Sequence, residues 1–111
     1  MARLNYFELP VRGIAASKAF YEKAFGWSIM EFGPTYAATT SGDTDIGLQA
    51  DTEEATKAPL PVIEVEDLEA AQAAVEQAGG RIVRPSFAFP GGRRFHFLDP
   101  SGNELAAVKS G

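Results

Sequence analysis

The chain of 111 residues carries one histidine, His96, and no cysteine. Any side-chain chemistry near neutral pH therefore centres on one imidazole and the carboxylates, phenols and guanidinium groups that can reach it. An imidazole beside a carboxylate can act as a general base. His96 and the two glutamates Glu8 and Glu104 are the candidate catalytic residues. The plainer reading of His96 is a strand histidine with no chemistry, and that of Glu8 is a solvated strand carboxylate. Arg94 has the planar fork that grips a ligand carboxylate or phosphate; the alternative is a structural ion pair with Glu104 or Glu8. Tyr6, Tyr36 and Trp27 could stack on a flat ligand, although core or interface packing suits Trp27 better. Gln49 and Glu64 complete the candidate ligand-binding set of Tyr6, Glu8, Tyr36, Gln49, Glu64, Arg94, His96 and Glu104. With a single histidine and no thiolate, a multi-histidine or cysteine metal site within one chain is excluded.

These residues share a face because the strands that carry them alternate. Side chains along a strand point to opposite sides in turn. Phe7, Leu9 and Val11 alternate with Tyr6 and Glu8, and Ile46 and Leu48 alternate with Asp45, Gly47 and Gln49. Later, Ile63 and Val65 alternate with Val62 and Glu64, Phe95 and Phe97 with Arg94 and His96, and Leu105 and Ala107 with Glu104 and Ala106. One face is apolar and must lie beneath helices, while the other gathers the polar candidates. Antiparallel sheets often turn such a face to water. A trough lined with aromatic, carboxylate and guanidinium groups is the functional alternative.

The helices follow from an internal repeat. A shift of 54 residues lays Val11 on Val65, Ile14 on Leu68, Ala19 on Ala73, Glu22 on Glu76, Ala24 on Ala78 and Gly26 on Gly80. The spacing predicts a helix over about 14–25, with Ile14, Ala19 or Phe20, Ala24 and Phe25 near one face and Gly26 as its stop. A second helix is predicted over about 68–78, capped by Asp67 and ended by Gly79-Gly80. Short strands follow each helix: 27–32, 36–40 and 45–50, then 81–84, 93–98 and 104–108. Residues 51–59 read as a polar linker between a module of residues 1–50 and one of residues 60–111. The fold class is α+β, with two tandem βαβββ modules and eight strands in all.

Between these strands, Phe87 and Phe89 fall on a loop-like segment, PSFAFPGG, able to cover a trough mouth or to form a dimer edge. Gly91-Gly92-Arg93-Arg94 lacks the strand–loop–helix setting of a phosphate cradle and reads as a hairpin turn. Asp99-Pro100-Ser101-Gly102-Asn103 is likewise a turn. The net charge of −5 argues against non-specific nucleic-acid binding, which needs clustered cations. No apolar run approaches the ~20 residues of a membrane span. The N-terminus MARLNYFELP lacks a signal peptide's apolar segment, so a reduced cytoplasmic setting is expected.

The stretches ELPVRGIAASKAFYEKAFGW, PVIEVEDLEAAQAAVEQAGGRIV and GGRRFHFLDPSGNELAAV resemble the vicinal oxygen chelate superfamily of glyoxalases, extradiol dioxygenases and bleomycin-resistance proteins. The most specific pieces are SKAFY (Ser17–Tyr21), Phe25-Gly26-Trp27 and DPSGN (Asp99–Asn103). The resemblance implies paired βαβββ modules forming a cupped mixed sheet, usually in a homodimer. It also marks four metal-ligand positions, which here hold Tyr6, Gly47, Leu60 and Ala106. None of the four supplies the usual histidine or carboxylate; Tyr6 alone would not hold a metal, and Glu104, two residues before Ala106, substitutes only in part. The expectation is a protein without metal or other cofactor that binds a small organic ligand in the trough. The alternative is a non-standard lyase, isomerase or hydrolase of the same family using His96 and a carboxylate, with or without a divalent metal.

Overall fold

The computed structural model describes residues 2–111. Its elements run β1 (Arg3–Pro10), α1 (Ile14–Phe25), β2 (Met30–Glu31), β3 (Tyr36–Ala38), β4 (Asp45–Gln49), β5 (Leu60–Glu64), α2 (Leu68–Gln77), β6 (Arg81–Phe89), β7 (Gly92–Leu98) and β8 (Glu104–Ser110). The eight strands form one mixed sheet in the order β2-β3-β4-β1-β5-β8-β7-β6. With two helices added, the fold is α+β, as the strand and helix pattern predicts. The chain divides into two compact units, one over 6–60 and the other over 61–111 together with the chain start up to Asn5.

In the first unit β1 pairs in parallel with β4, β3 runs antiparallel to β4, and β2 antiparallel to β3. Parallel pairing needs a crossover, and α1 begins that crossover. The apolar face of these strands supplies Leu48, Ala37, Leu9, Val11 and Ile46 to a core closed by Ile14 and Tyr21 of α1 and by Ile29. Gly26 ends α1 with φ of 71°, a conformation that favours glycine, and its N–H bonds to the Glu22 carbonyl.

The inward face of α1 differs from the one expected. Ile14 is the buried residue of the helix and Tyr21 packs beside it, whereas Phe20 and Phe25 are 59% and 63% exposed. Ile14 and Tyr21 lie seven positions apart, two helical turns on one stripe; Phe20 sits off that stripe, and Phe25, although on it, is the last residue of the helix and stays exposed. At the edge of the core, Tyr21 stacks on Trp27 at 5.4 Å between ring centroids and Phe25 stacks on Trp27 at 5.5 Å. The glycine turn after α1 brings Trp27 back against the helix. This use of residues 27–29 leaves only Met30–Glu31 as β2, shorter than the predicted strand.

The second unit repeats the plan. α2 starts at Leu68, 54 residues after the start of α1, and the Asp67 side chain accepts the Ala70 N–H at 3.0 Å as its N-cap. β5 pairs in parallel with β8, β7 antiparallel to β8, and β6 antiparallel to β7. Phe95, Phe97 and Ala107 form the core with Leu68, flanked by Ile63, Val65, Ile82 and Leu105. Full burial of a residue such as Phe95 contributes about 1.5–3 kcal/mol.

β6 extends through Phe89, so Phe87 and Phe89 belong to a strand rather than to the expected loop. Pro85 does not end the strand because β6 lies at the sheet edge, where a missing N–H is tolerated. The register shifts between Ile82 and Arg84 and again between Arg84 and Phe87. Each shift inserts one extra residue into β6. Arg84 consequently stands opposite His96, and Phe87 opposite Arg94.

Candidate functional site

Four polar or charged side chains on the strands are buried among the described residues: His96, Glu8, Arg94 and Gln49. Burying such groups costs free energy unless they are paired. Their partners therefore separate structural roles from candidate binding roles.

In the second unit, β7 carries Phe95 and Phe97 into the core beneath α2, so His96 and Arg94 point to the opposite face. His96 is 2% exposed and Arg94 7%. The turn after β7 returns the chain as β8, and Glu104 there places a carboxylate oxygen 2.8 Å from His96 Nδ1. Burial holds the imidazole below its ordinary pKa; the bond to Glu104 opposes that shift, while Arg94 and then Arg84 add to it. A neutral imidazole facing a carboxylate must donate from Nδ1, which leaves a lone pair on Nε2. His96 Nε2 is buried and has no hydrogen-bond partner.

Aromatic and cationic groups lie on the same part of the sheet as the His96 ring. The Phe87 ring lies 6.0 Å from the His96 ring and 6.4 Å from Phe89. The Arg84 guanidinium carbon stands 3.7 Å over the Phe87 ring, and that of Arg94 is 5.3 Å from Phe87 and 5.1 Å from Phe89. These are cation–π distances. The two β6 bulges create this grouping, because without them Val83 and Pro85 would oppose His96 and Arg94. The bulges are the feature that sequence pattern missed, and Pro85 between two apolar stretches is the signal that could have found them.

In the first unit, Tyr6, Glu8 and Tyr36 come together. The Tyr6 and Tyr36 hydroxyls share a short hydrogen bond, and Tyr36 donates to Glu8 Oε2 at 3.2 Å. Burial first, then the neighbouring Tyr6 and Glu8, raise the Tyr36 phenol far above its ordinary pKa. Tyr36 is thus a neutral donor at physiological pH. Glu8 is 3% exposed.

The other candidates serve the chain itself. Gln49 Oε1 accepts the Asp51 N–H at 3.0 Å. Glu64 accepts from Asn5 Nδ2 at 3.0 Å and from Ser110 Oγ at 2.9 Å. Asp45 Oδ1 takes Thr39 Oγ1 at 2.7 Å and the Gly42 N–H at 3.1 Å. A groove of about 1070 Å³ runs along α2 on the helix side, between Glu69, Gln72 and Glu76 and the basic Arg93 and Lys109. None of the polar candidates lines it.

The four metal-ligand positions do not fit a metal. A side chain at Gly47 would collide at its Cβ with the hydroxyl oxygens of both Tyr6 and Tyr36. The two phenols fill the space a carboxylate ligand would need. Leu60 and Ala106 are fully buried apolar residues. Among the described residues, no group of three or more His, Asp or Glu side chains converges to hold an ion.

Comparison with known proteins places the geometry in a family. A model of the Glyoxalase/Bleomycin resistance protein/Dioxygenase superfamily matches residues 3–107. Methylmalonyl-CoA epimerase from Mycobacterium tuberculosis superposes with a TM-score of 0.78 at 15% identity, over 97% of this chain and 87% of that one. A hypothetical protein, BH1468, from Bacillus halodurans gives 0.82 at 14% identity, over 99% and 95%. The Mn(II)-bound glyoxalase from Novosphingobium aromaticivorans gives 0.70 at 20% identity, over 98% of this chain and 40% of that one. At these identities the likeness is one of fold. Among curated proteins none matches the chain. The family match spans nearly every residue of both βαβββ units, and the chain belongs to the Glyoxalase/Bleomycin resistance protein/Dioxygenase superfamily.

Proposed function

We propose that this protein binds a small organic ligand on the polar sheet face, without the metal its family is known for, and that it does so as a homodimer. One observation carries the reading: His96 is buried with its Nε2 lone pair unanswered, beside Arg94 and the Phe87 and Phe89 rings. A buried polar atom without a partner is costly, and a ligand that hydrogen-bonds to it recovers that cost on binding. Apolar rings with a few converging polar groups are the usual make-up of a small-molecule site. The occupation of the Gly47 space by two phenols supports a metal-free site. The test is a thermal-shift ligand screen on the parent chain and on His96→Ala and Arg94→Ala. The reading requires hits whose stabilisation drops at least fivefold in affinity in both variants. Hits unaffected by either substitution contradict it. Sedimentation at micromolar concentration tests the homodimer.

The His96–Glu104 pair favours a second reading, a lyase, isomerase or hydrolase in which His96 is the base. A carboxylate on Nδ1 orients the ring and stabilises the imidazolium that forms when Nε2 takes a proton. Turnover of an identified ligand that survives replacement of Glu8, His96 and Glu104 would remove their catalytic role.

A further inference from the structure

We propose that the ligand is a planar aromatic compound bearing an acidic hydroxyl, which donates its proton in a hydrogen bond to His96 Nε2 while the ring packs against Phe87. This rests on the small-molecule reading above and narrows it to a ligand class. The buried nitrogen has a lone pair and no donor of its own, so an organic ligand satisfies it only with a group that carries a hydrogen. A ligand that is purely an acceptor, such as an ether or ketone oxygen, would leave Nε2 as costly as before.

The surroundings add shape and charge. Phe87 and Phe89 supply aromatic faces on the same side of the sheet as His96, and offset or tilted ring contacts favour another flat ring there. Arg94 and Arg84 lie close enough to the imidazole to push its pKa down, and the same positive field makes a neighbouring protonated hydroxyl a better hydrogen-bond donor. Glu104 is the one carboxylate hydrogen-bonded to the imidazole, and its bond to Nδ1 keeps the Nε2 lone pair directed outward from β8. On β8 the residue opposite His96 is Ala106, whose side chain is a single methyl with no polar atom to answer Nε2. A hydroxyl that keeps its proton and faces a neutral imidazole gives a neutral O–H···N hydrogen bond, with the hydroxyl as donor and Nε2 as acceptor.

The single histidine makes the test direct, since its imidazole nitrogens are the only ones in the protein. The experiment titrates 4-nitrophenol, at a pH where the phenol keeps its proton, and its methyl ether, 4-nitroanisole, into protein with ¹⁵N-labelled histidine, reading both ring nitrogens by NMR and affinity by the same titration. The expected result is that 4-nitrophenol binds about tenfold or more tightly than the ether, one hydrogen bond's worth. It should move the Nε2 resonance from the bare-nitrogen position toward the hydrogen-bonded one, with Nδ1 still protonated. Phe87→Ala should weaken both probes, and 4-nitrobenzoate, an anion without the hydroxyl, should leave Nε2 unmoved. Equal affinity for the phenol and the ether overturns the proposal. So does 4-nitrobenzoate outcompeting 4-nitrophenol. If neither probe binds but other small molecules move His96, the ligand class is wrong and the small-molecule reading stands. If nothing in a diverse panel moves His96, both are wrong.

Discussion

At the scale of residues, the account turns on His96 and the carboxylate that holds it. Glu104→Gln keeps the shape but replaces the carboxylate, so the amide can present either a donor or an acceptor to Nδ1. The Nδ1-protonated tautomer should lose its dominance, visible as averaging of the two ¹⁵N imidazole shifts. Glu104 is partly exposed, so the stability cost should stay near ~1 kcal/mol by urea denaturation. Acidification tests the burial. The folded state holds His96 below the ordinary value of 6.5, so the unfolded chain takes up its proton first. Stability should therefore fall as pH drops below about 6.5, and continue to fall until the folded imidazole also charges. His96→Gln should flatten that part of the decline between pH 7 and 5 relative to the parent, measured by urea midpoints. An equal decline in both proteins would place the titration elsewhere. That His96 and Glu104 share one face was legible in advance, because alternation on either side of a DPSGN turn puts both there; that Glu104 bonds to His96, where the alternative paired it with Arg94, was not. That His96 would be so deeply buried, and its Nε2 unpaired, was not. Depth depends on Phe87 and the strand it occupies, which the sequence pattern read as loop.

Among the elements, the β7–β8 turn fixes the distance between the two partners. Asp99 accepts the N–H groups of Ser101 and Asn103 and the Asn103 side-chain amide, each at 2.9 Å. Those bonds, Asn103's foremost, hold its carboxyl below the usual range. Asp99→Ala should raise hydrogen-exchange rates at Ser101 and Asn103 severalfold and weaken ligand binding at His96. It should leave the amides around Tyr6 and Tyr36 unchanged. A second element-scale test is Gly47→Ala. The added methyl meets two phenol oxygens, and overpacking a filled site costs about 1–3 kcal/mol; a neutral urea midpoint would show that the phenols do not fill that space. Helix starts and stops were readable from Asp67 and Gly26, whose capping chemistry is local. The inward face of α1 was not. Apolar side chains surround that helix on several sides, and only packing against Leu48 and Ile29 selects Ile14 and Tyr21. Likewise, the extent of β6 depended on bulges at an edge strand, which period-2 alternation does not register.

For the whole molecule, the repeat is the organising fact. Two units share the βαβββ order, the parallel pairing of first and last strands, and helices that start 54 residues apart. The family match covers both. Each unit turns its apolar face to its own helix and its polar face away, but the polar faces have diverged. One holds two phenols and Glu8 packed over Gly47, and the other holds an imidazole, a guanidinium and two phenyl rings. In the first, Tyr36 bridges Tyr6 and Glu8, whereas the second leaves His96 Nε2 without a hydrogen-bond partner beside two phenyl rings, so the second unit is where a ligand is expected. The alternative location on the same unit is the groove along α2. A backbone amide NMR map of ligand-screen hits distinguishes them most directly. The account predicts that hits shift the resonances of Arg94, His96 and Glu104 and leave Glu69, Gln72 and Lys109 in place. Hits that shift Glu69, Gln72 and Lys109 while His96 stays silent would contradict it.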